Sequence, residues 1–235
     1  MKSDNLKNLY IAHRGIQTDT TIENTIPAFM LAISKRVPIE LDLHILKDDK
    51  IIVFHDDNLK RLFNIDRTIE SYDYDELRKL SFPNTNEHIP LFTDVLKLVN
   101  GKVPIIIEVK RSFNTNYVSY CKKIVDILNN YKYDYVIKSF DVRIVHWFLH
   151  NTDYLTGLLI ANRKKSIYDW MVRKTILLSG LNPDFISVDY HLLDYSSIKK
   201  FRLKKPVLAW TINNYQVLEM VKDKADSYLI EKFYF

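Results

Sequence analysis

The chain has 235 residues, slightly short for a single (β/α)8 barrel and also long enough for two small domains. Hydrophobic residues make up 47% and charged residues 27%, the balance of a globular chain with a sizeable core, which excludes wholesale disorder. The formal charge of +5 favours an anionic partner without demanding one, because many basic proteins carry such a surplus for solubility.

The single cysteine, Cys121, cannot form an internal disulfide and sits among lysines rather than histidines, which suits a reducing compartment. The opening residues, MKSDNLKNLYIAHRG, contain no apolar signal region, and nowhere do about 18 apolar residues run uninterrupted. The expectation is a cytoplasmic protein without stable membrane anchoring. The densest basic stretches, Arg163-Lys164-Lys165 and the run from Lys199 to Lys205, read better as solvated helix faces than as a nucleic-acid surface. A nucleic-acid binder would show steep salt dependence, and no nucleic-acid partner is expected.

In chain order, short aliphatic runs at 9–13, 38–43, 103–109, 135–139, 154–160, 185–188, 206–210 and 227–230 read as strands. Segments of helical period at 26–35, 92–100, 116–130, 142–150 and 215–222 lie between them. Strands alternating with helices predict a parallel sheet, and eight of them predict a TIM-type barrel in one domain spanning 1–235. A doubly wound sheet would favour a Gly-rich phosphate turn, and the chain has only 4 glycines. Residues 56–90 read as an excursion over the barrel mouth with a helix near 74–80. After the last strand only Glu231-Lys232-Phe233-Tyr234-Phe235 remain, too few for an eighth outer helix. The flank of that strand is expected to be covered by the aromatic tail or by a second copy of the chain.

Chemistry-bearing residues collect where these strands run out. His13-Arg14-Gly15 follows Leu9-Tyr10-Ile11-Ala12; a lone histidine is more often structural than catalytic, and the arginine offers a planar fork for phosphate oxygens. In Glu40-Leu41-Asp42-Leu43-His44 the polar side chains share one face of a strand. An isolated Glu-x-Asp also occurs on half-exposed surface strands. In a barrel, however, Ile39, Leu41 and Leu43 would turn outward to the helices and the acids inward, where two carboxylates repel unless a cation lies between them. Ile105-Ile106-Ile107 delivers Glu108, with Lys110 two residues on; the pair could be a strand-end salt bridge, or Glu108 a third oxygen ligand. A Glu, Asp, Glu set without thiolates suits Mg²⁺ or Ca²⁺, with Mn²⁺ next, better than Zn²⁺. Ile51-Ile52-Val53-Phe54 delivers His55. Two histidines and a hard-metal site together supply the base, acid and charge clamp of phosphodiester hydrolysis.

The order of motifs resembles the glycerophosphodiester phosphodiesterase family: HRG at His13, ENT at Glu23, a Pro-Ala-Phe before a helix, ELDLH at Glu40, HD at His55 and IEVK at Ile107. Ser139-Phe140 and Trp210-Thr211-Ile212-Asn213 follow later. The resemblance spans nearly the whole chain. It implies a TIM-type barrel that cleaves glycerophosphodiesters to glycerol 3-phosphate and an alcohol. His13 and His55 would be the acid/base pair, Glu40, Asp42 and Glu108 would hold a divalent ion, Arg14 and Lys110 would hold phosphate, and Trp210 would line the glycerol end. The chain departs from the family at its last strand, where Ser227-Tyr228-Leu229-Ile230-Glu231-Lys232-Phe233 replaces a Gly-Ile-x-Thr-Asp-x-Pro pattern. Two other readings are a lysophospholipase D-type activity, with Leu62, Phe63 and Ile65 as an exposed apolar ramp, and a non-catalytic phosphate-binding barrel.

Overall fold

A computed structural model describes residues 3–162 and 181–233. The basic run Arg163-Lys164-Lys165 and the last two tail residues, Tyr234 and Phe235, lie outside the described residues. The strands are β1 (Tyr10–Ala12), β2 (Ile39–Ile45), β3 (Ile51–Val53), β4 (Ile105–Val109), β5 (Tyr135–Ser139), β6 (Thr156–Ile160), β7 (Phe185–Asp189), β8 (Val207–Ile212) and β9 (Ser227–Ile230). The helices among the described residues are α1 (Ile26–Ser34), α2 (Lys60–Phe63), α3 (Tyr74–Leu77), α4 (Phe92–Val99), α5 (Tyr117–Leu128), α6 (Val142–Asn151), α7 (Ser196–Arg202) and α8 (Tyr215–Val221).

Each expected strand forms. They run parallel in the spatial order β1-β9-β8-β7-β6-β5-β4-β2, and β1 returns to β2 through one pair, Ala12 with Ile39, closing an eight-stranded TIM-type barrel. β3 is an addition, paired antiparallel to β2 from Leu43 to Ile45 and lying outside the barrel.

The period of two sorts the side chains as anticipated. Ile39, Leu41 and Leu43 pack outward in the core beneath α1, α4 and α5, as do Ile105, Ile107 and Val109. A second outer core lies beneath α7 and α8. Helix α4 shows why these segments are helices: Phe92, Val95, Leu96 and Val99 recur on one face and are buried, and the helix stops at Asn100, which takes the left-handed conformation at φ 42°.

Inside the barrel, Leu6, Ile11, Ile106, Val136, Phe185, Leu208 and Leu229 form an apolar plug. The Phe185 ring fits because its neighbour on β6 is Gly157, where a Cβ would lie 2.3 Å from that ring. With this end filled mostly by hydrocarbon, the inward charged residues Glu40, Asp42, Glu108 and Lys138 lie toward the opposite, C-terminal end.

Residues 56–90 carry α2, a 3-10 turn (Ile69–Ser71) and α3 around a small core of Phe54, Leu59, Ile69, Tyr72, Leu77, Phe82 and Ile89. Leu62, Phe63 and Ile65 pack against this cluster, with Phe63 and Phe82 ring centroids 4.7 Å apart, so they do not form an open apolar ramp. Their own cluster offers them more burial than the barrel mouth does. The Glu70 carboxylate ties this region to the loop after β4 by accepting the N–H groups of Phe113 and Asn114 at 3.1 and 3.2 Å.

Among the described residues no helix follows β9. The flank there is lined by Tyr10 and Tyr228, stacked at 5.7 Å, and Phe233 of the tail packs on Tyr215 at 4.7 Å. No helix of the described residues is long and apolar enough to cross a membrane.

Cys121 is buried on α5, where burial and then the charge of Asp141 push its thiol up to about 12. The reactive species is the thiolate. Native protein at pH 8 should therefore resist iodoacetamide, with mass spectrometry showing modification only after denaturation. Labelling of the native state as fast as that of a free thiol would contradict this placement.

Candidate active site

The turn that ends β1 is tight. Gly15 has φ +79°, and a Cβ there would come within 2.8 Å of the Ala28 Cβ on α1. Arg14 is itself left-handed at φ 60°, which swings its N–H to Glu40 Oε2 at 3.1 Å. Its guanidinium reaches Glu23 Oε1 at 2.8 Å and lies 3.5 Å from Asp42 Oδ2. Asn24, also at positive φ, donates its side-chain amide to Asp42 Oδ2 at 2.9 Å.

Glu40, Asp42 and Glu108 converge because strand register places Asp42 beside Glu108 on β2 and β4, with Glu40 one inward step below. All three are buried, and one oxygen from each lies within 4.8 Å of the others. The same register sets Glu108 beside Lys138 of β5, whose side chain is 1% exposed. Each of the six carboxylate oxygens faces a cation or donor. Lys138 Nζ is 2.7 Å from Glu40 Oε1 and 3.4 Å from Glu108 Oε2. Lys110 Nζ is 2.8 Å from Asp42 Oδ1 and 2.5 Å from Glu108 Oε1. Arg14 N and Asn24 Nδ2 supply the remaining two oxygens.

These neighbours decide the charge states. Burial alone would raise the Asp42 carboxyl, but Lys110, Arg14 and His55 outweigh it and hold the group well below the usual carboxylate range. Glu108 is likewise held down: burial and Asp42 push up, while Lys110 and Lys138 pull further down. Burial would lower the Lys110 amine, yet Asp42 and Glu108 raise it on balance.

Two histidines flank the trio. His13 Nδ1 lies 2.9 Å from Glu231 Oε2, and its Nε2 lies 4.0 Å from Glu40 Oε2. His55 Nδ1 lies 2.6 Å from Asp56 Oδ1. The hydrogen bond from His13 keeps Glu231 low; burial pushes Asp56 up, but His55 and Arg61 hold it down. Ionised carboxylates only accept, so each Nδ1 is the donor and each Nε2 is left for chemistry. Beyond His55 the charges continue: Arg61 donates to Asp56 and to both oxygens of Glu23, and Glu23 meets Arg14. A further histidine on β2, His44, is pushed down to about 4 by burial and then by Lys110, and its Nε2 donates to the His55 carbonyl at 3.2 Å. It fixes the His55 backbone as a neutral ring.

Trp210 lies where the β8–β9 ladder shifts register between Ala209 and Ile212, a displacement that re-aims a side chain. Its ring meets Phe140 edge-on at 5.8 Å, and its buried Nε1 has no hydrogen-bond partner among the described residues. Ser139 stitches strands instead, donating to the Val109 carbonyl at 2.7 Å.

All eight sequence-predicted residues therefore gather at the C-terminal end of the barrel. Lys138 and Glu231 were missed. Lys138 had a legible signal, a lysine at an inward position directly after the apolar run Tyr135-Val136-Ile137. Glu231 had one too, an acid at the end of the last strand, in the place of the Asp in the family's Thr-Asp step.

The signature of the glycerophosphoryl diester phosphodiesterase family matches residues 13–231. This chain belongs to that family. A Bacillus subtilis relative, YhdW, is 30% identical over 87% of this chain and 86% of its own. The glycerophosphodiester phosphodiesterase of Caldanaerobacter subterraneus subsp. tengcongensis is 25% identical over 96% of this chain and 95% of its own. An Oleispira antarctica phosphodiesterase, solved with its product sn-glycerol-3-phosphate, superposes with a TM-score of 0.81 over 97% of this chain and 94% of its own, at 20% identity. That last likeness establishes the barrel. Family membership makes the chain a phosphoric diester hydrolase.

The trio fits a hard divalent ion. Its donors are all carboxylate oxygens, and two of them, Glu40 Oε1 and Asp42 Oδ1, are buried without an aligned hydrogen bond, the lysines reaching them as charges.

Proposed function

We propose that this family member hydrolyses glycerophosphodiesters to glycerol 3-phosphate and an alcohol, with His13 and His55 as the acid/base pair. The observation that carries this reading is the placement of two histidines, each oriented by a carboxylate on Nδ1, beside three buried carboxylates at one barrel end. Glu40, Asp42 and Glu108 would hold a divalent ion, Mg²⁺ or Ca²⁺ before Mn²⁺. Bound there, the ion supplies positive charge against the non-bridging phosphate oxygens.

The chain's own groups do the rest. Arg14 and Lys110 bring two further cations to the anionic diester while holding the carboxylates ionised. One histidine Nε2 takes the proton of the attacking water, or of a substrate hydroxyl next to the phosphate whose cyclic product water then opens, and the other gives a proton to the leaving alkoxide. Trp210 presents an apolar ring, packed edge-on against Phe140, for the glycerol end.

Purified protein should release glycerol 3-phosphate from glycerophosphocholine or glycerophosphoethanolamine, lose that activity in chelator and regain it with added metal. Full activity after exhaustive chelation would remove the ion from the reading. A lysolipid belongs in the same assay, because Phe113 and Phe140, in the loops after β4 and β5, are 65% and 39% exposed at this end of the barrel. Turnover dependent on acyl chains would favour a lysophospholipase D-type activity.

A further inference from the structure

Three carboxylates at one barrel end require compensating charge, and the chain supplies more of it than a divalent ion's site needs. Lys138 projects from β5 into the barrel, above Val136 of the apolar plug and below the mouth. It is as buried as the hydrocarbon around it, at 1% exposure, and it reaches no solvent. Its partners are one oxygen of Glu40 and one of Glu108, at 2.7 and 3.4 Å. Those are two of the three groups suited to the ion. Unlike Lys110, which sits at the mouth and can turn to a phosphate, Lys138 has no other anion within reach among the described residues.

We propose that Lys138 is a resident cation that shares Glu40 and Glu108 with the divalent ion, orienting both carboxylates beforehand and weakening the ion's hold on them. The proposal rests on the reading of Glu40, Asp42 and Glu108 as the ion's ligands. Two physical consequences carry it. A carboxylate oxygen committed to an ammonium at 2.7 Å must give up that contact, or share it, when an ion binds the same oxygen. A fixed positive charge within a few ångströms of the ion also opposes it through a medium that screens poorly. Glu40 Oε1 faces the Lys138 ammonium without hydrogen-bond alignment, so the contact is a charge pairing that can be given up without breaking a directed bond.

Lys138 is a positioning residue, and its test reads metal affinity rather than turnover. Isothermal titration of Mn²⁺ into wild type, Lys138→Gln and Lys138→Met should show binding tightened about tenfold or more in both variants, since each removes the charge. Unchanged or weaker affinity in the folded variants would overturn the proposal while leaving the ion's site intact. Absence of Mn²⁺ binding in wild type and variants alike would instead overturn the reading of the trio, and the proposal with it. Should neither variant fold, a Mn²⁺-loaded wild-type crystal gives the answer without substitution. Lys138 Nζ withdrawn from Glu40 or Glu108 supports sharing, and both contacts kept beside a fully occupied ion refute it.

Discussion

Replacing His13 or His55 by alanine will lower turnover about 10²–10⁴-fold while leaving the barrel folded. Neither ring belongs to an apolar core; each meets the protein through a carboxylate on Nδ1, Glu231 for one and Asp56 for the other. Removing the ring deletes proton transfer and leaves that carboxylate close to water, because Glu231 and Asp56 are partly exposed. Circular dichroism should match wild type, and kcat rather than KM should carry the loss. Turnover within a few-fold of wild type in both single variants would sink the paired-histidine mechanism. Glu231→Gln should also lower kcat, since the amide no longer favours an imidazolium and its NH₂ can hold the His13 ring in the wrong tautomer.

The second large effect is on stability. Glu40→Ala leaves the buried Lys138 ammonium with Glu108 alone, at 3.4 Å, and leaves the Arg14 N–H without its acceptor. Breaking one side of a buried pair costs about 3–5 kcal/mol, because the surviving charge stays desolvated. Urea unfolding should show that loss, and the double variant Glu40→Ala with Lys138→Met should recover most of it by removing the stranded charge along with its partner. A single variant as stable as wild type would mean that Lys138 is compensated from elsewhere. These two sets of variants separate chemistry from fold: the histidines touch the first and Glu40 touches both.

The barrel was legible in the sequence because its signals are local. Short aliphatic runs such as Ile105-Ile106-Ile107 alternate with amphipathic segments such as 92–99, and each element's burial follows from its own period. The acids of β2 were legible for the same reason, since Leu41 and Leu43 had to face the helices. What the sequence did not disclose depends on register between strands far apart in the chain. Nothing local says that Lys138 will lie beside Glu108, 30 residues earlier, or that Glu231 will meet His13, 218 residues away. The expectation of a cation between the acids was physically sound, but beyond the Glu108–Lys110 salt bridge a sequence read strand by strand offered only a bound metal for the part, whereas the fold supplies Lys138 as well. The lysophospholipase D-type reading expected Leu62, Phe63 and Ile65 as an exposed ramp, but this excursion has a core of its own and they pack against it.

The closing joint of the barrel has a further consequence. Backbone pairing between β1 and β2 amounts to one residue pair, Ala12 with Ile39, whereas β2 and β4 pair over five. Side chains bridge the gap: the Arg14 N–H and guanidinium hold Glu40 and Asp42, and Asn24 holds Asp42 again. The acids proposed for catalysis thus also serve as the clasp of the cylinder. In a living cell a chain that has lost one of them would spend more time open and be cleared by proteases, so its deficit would register as low abundance before any assay of rate. Drift at Glu40 or Asp42 is opposed twice, by selection on the reaction and by the quality control that every nascent copy must pass.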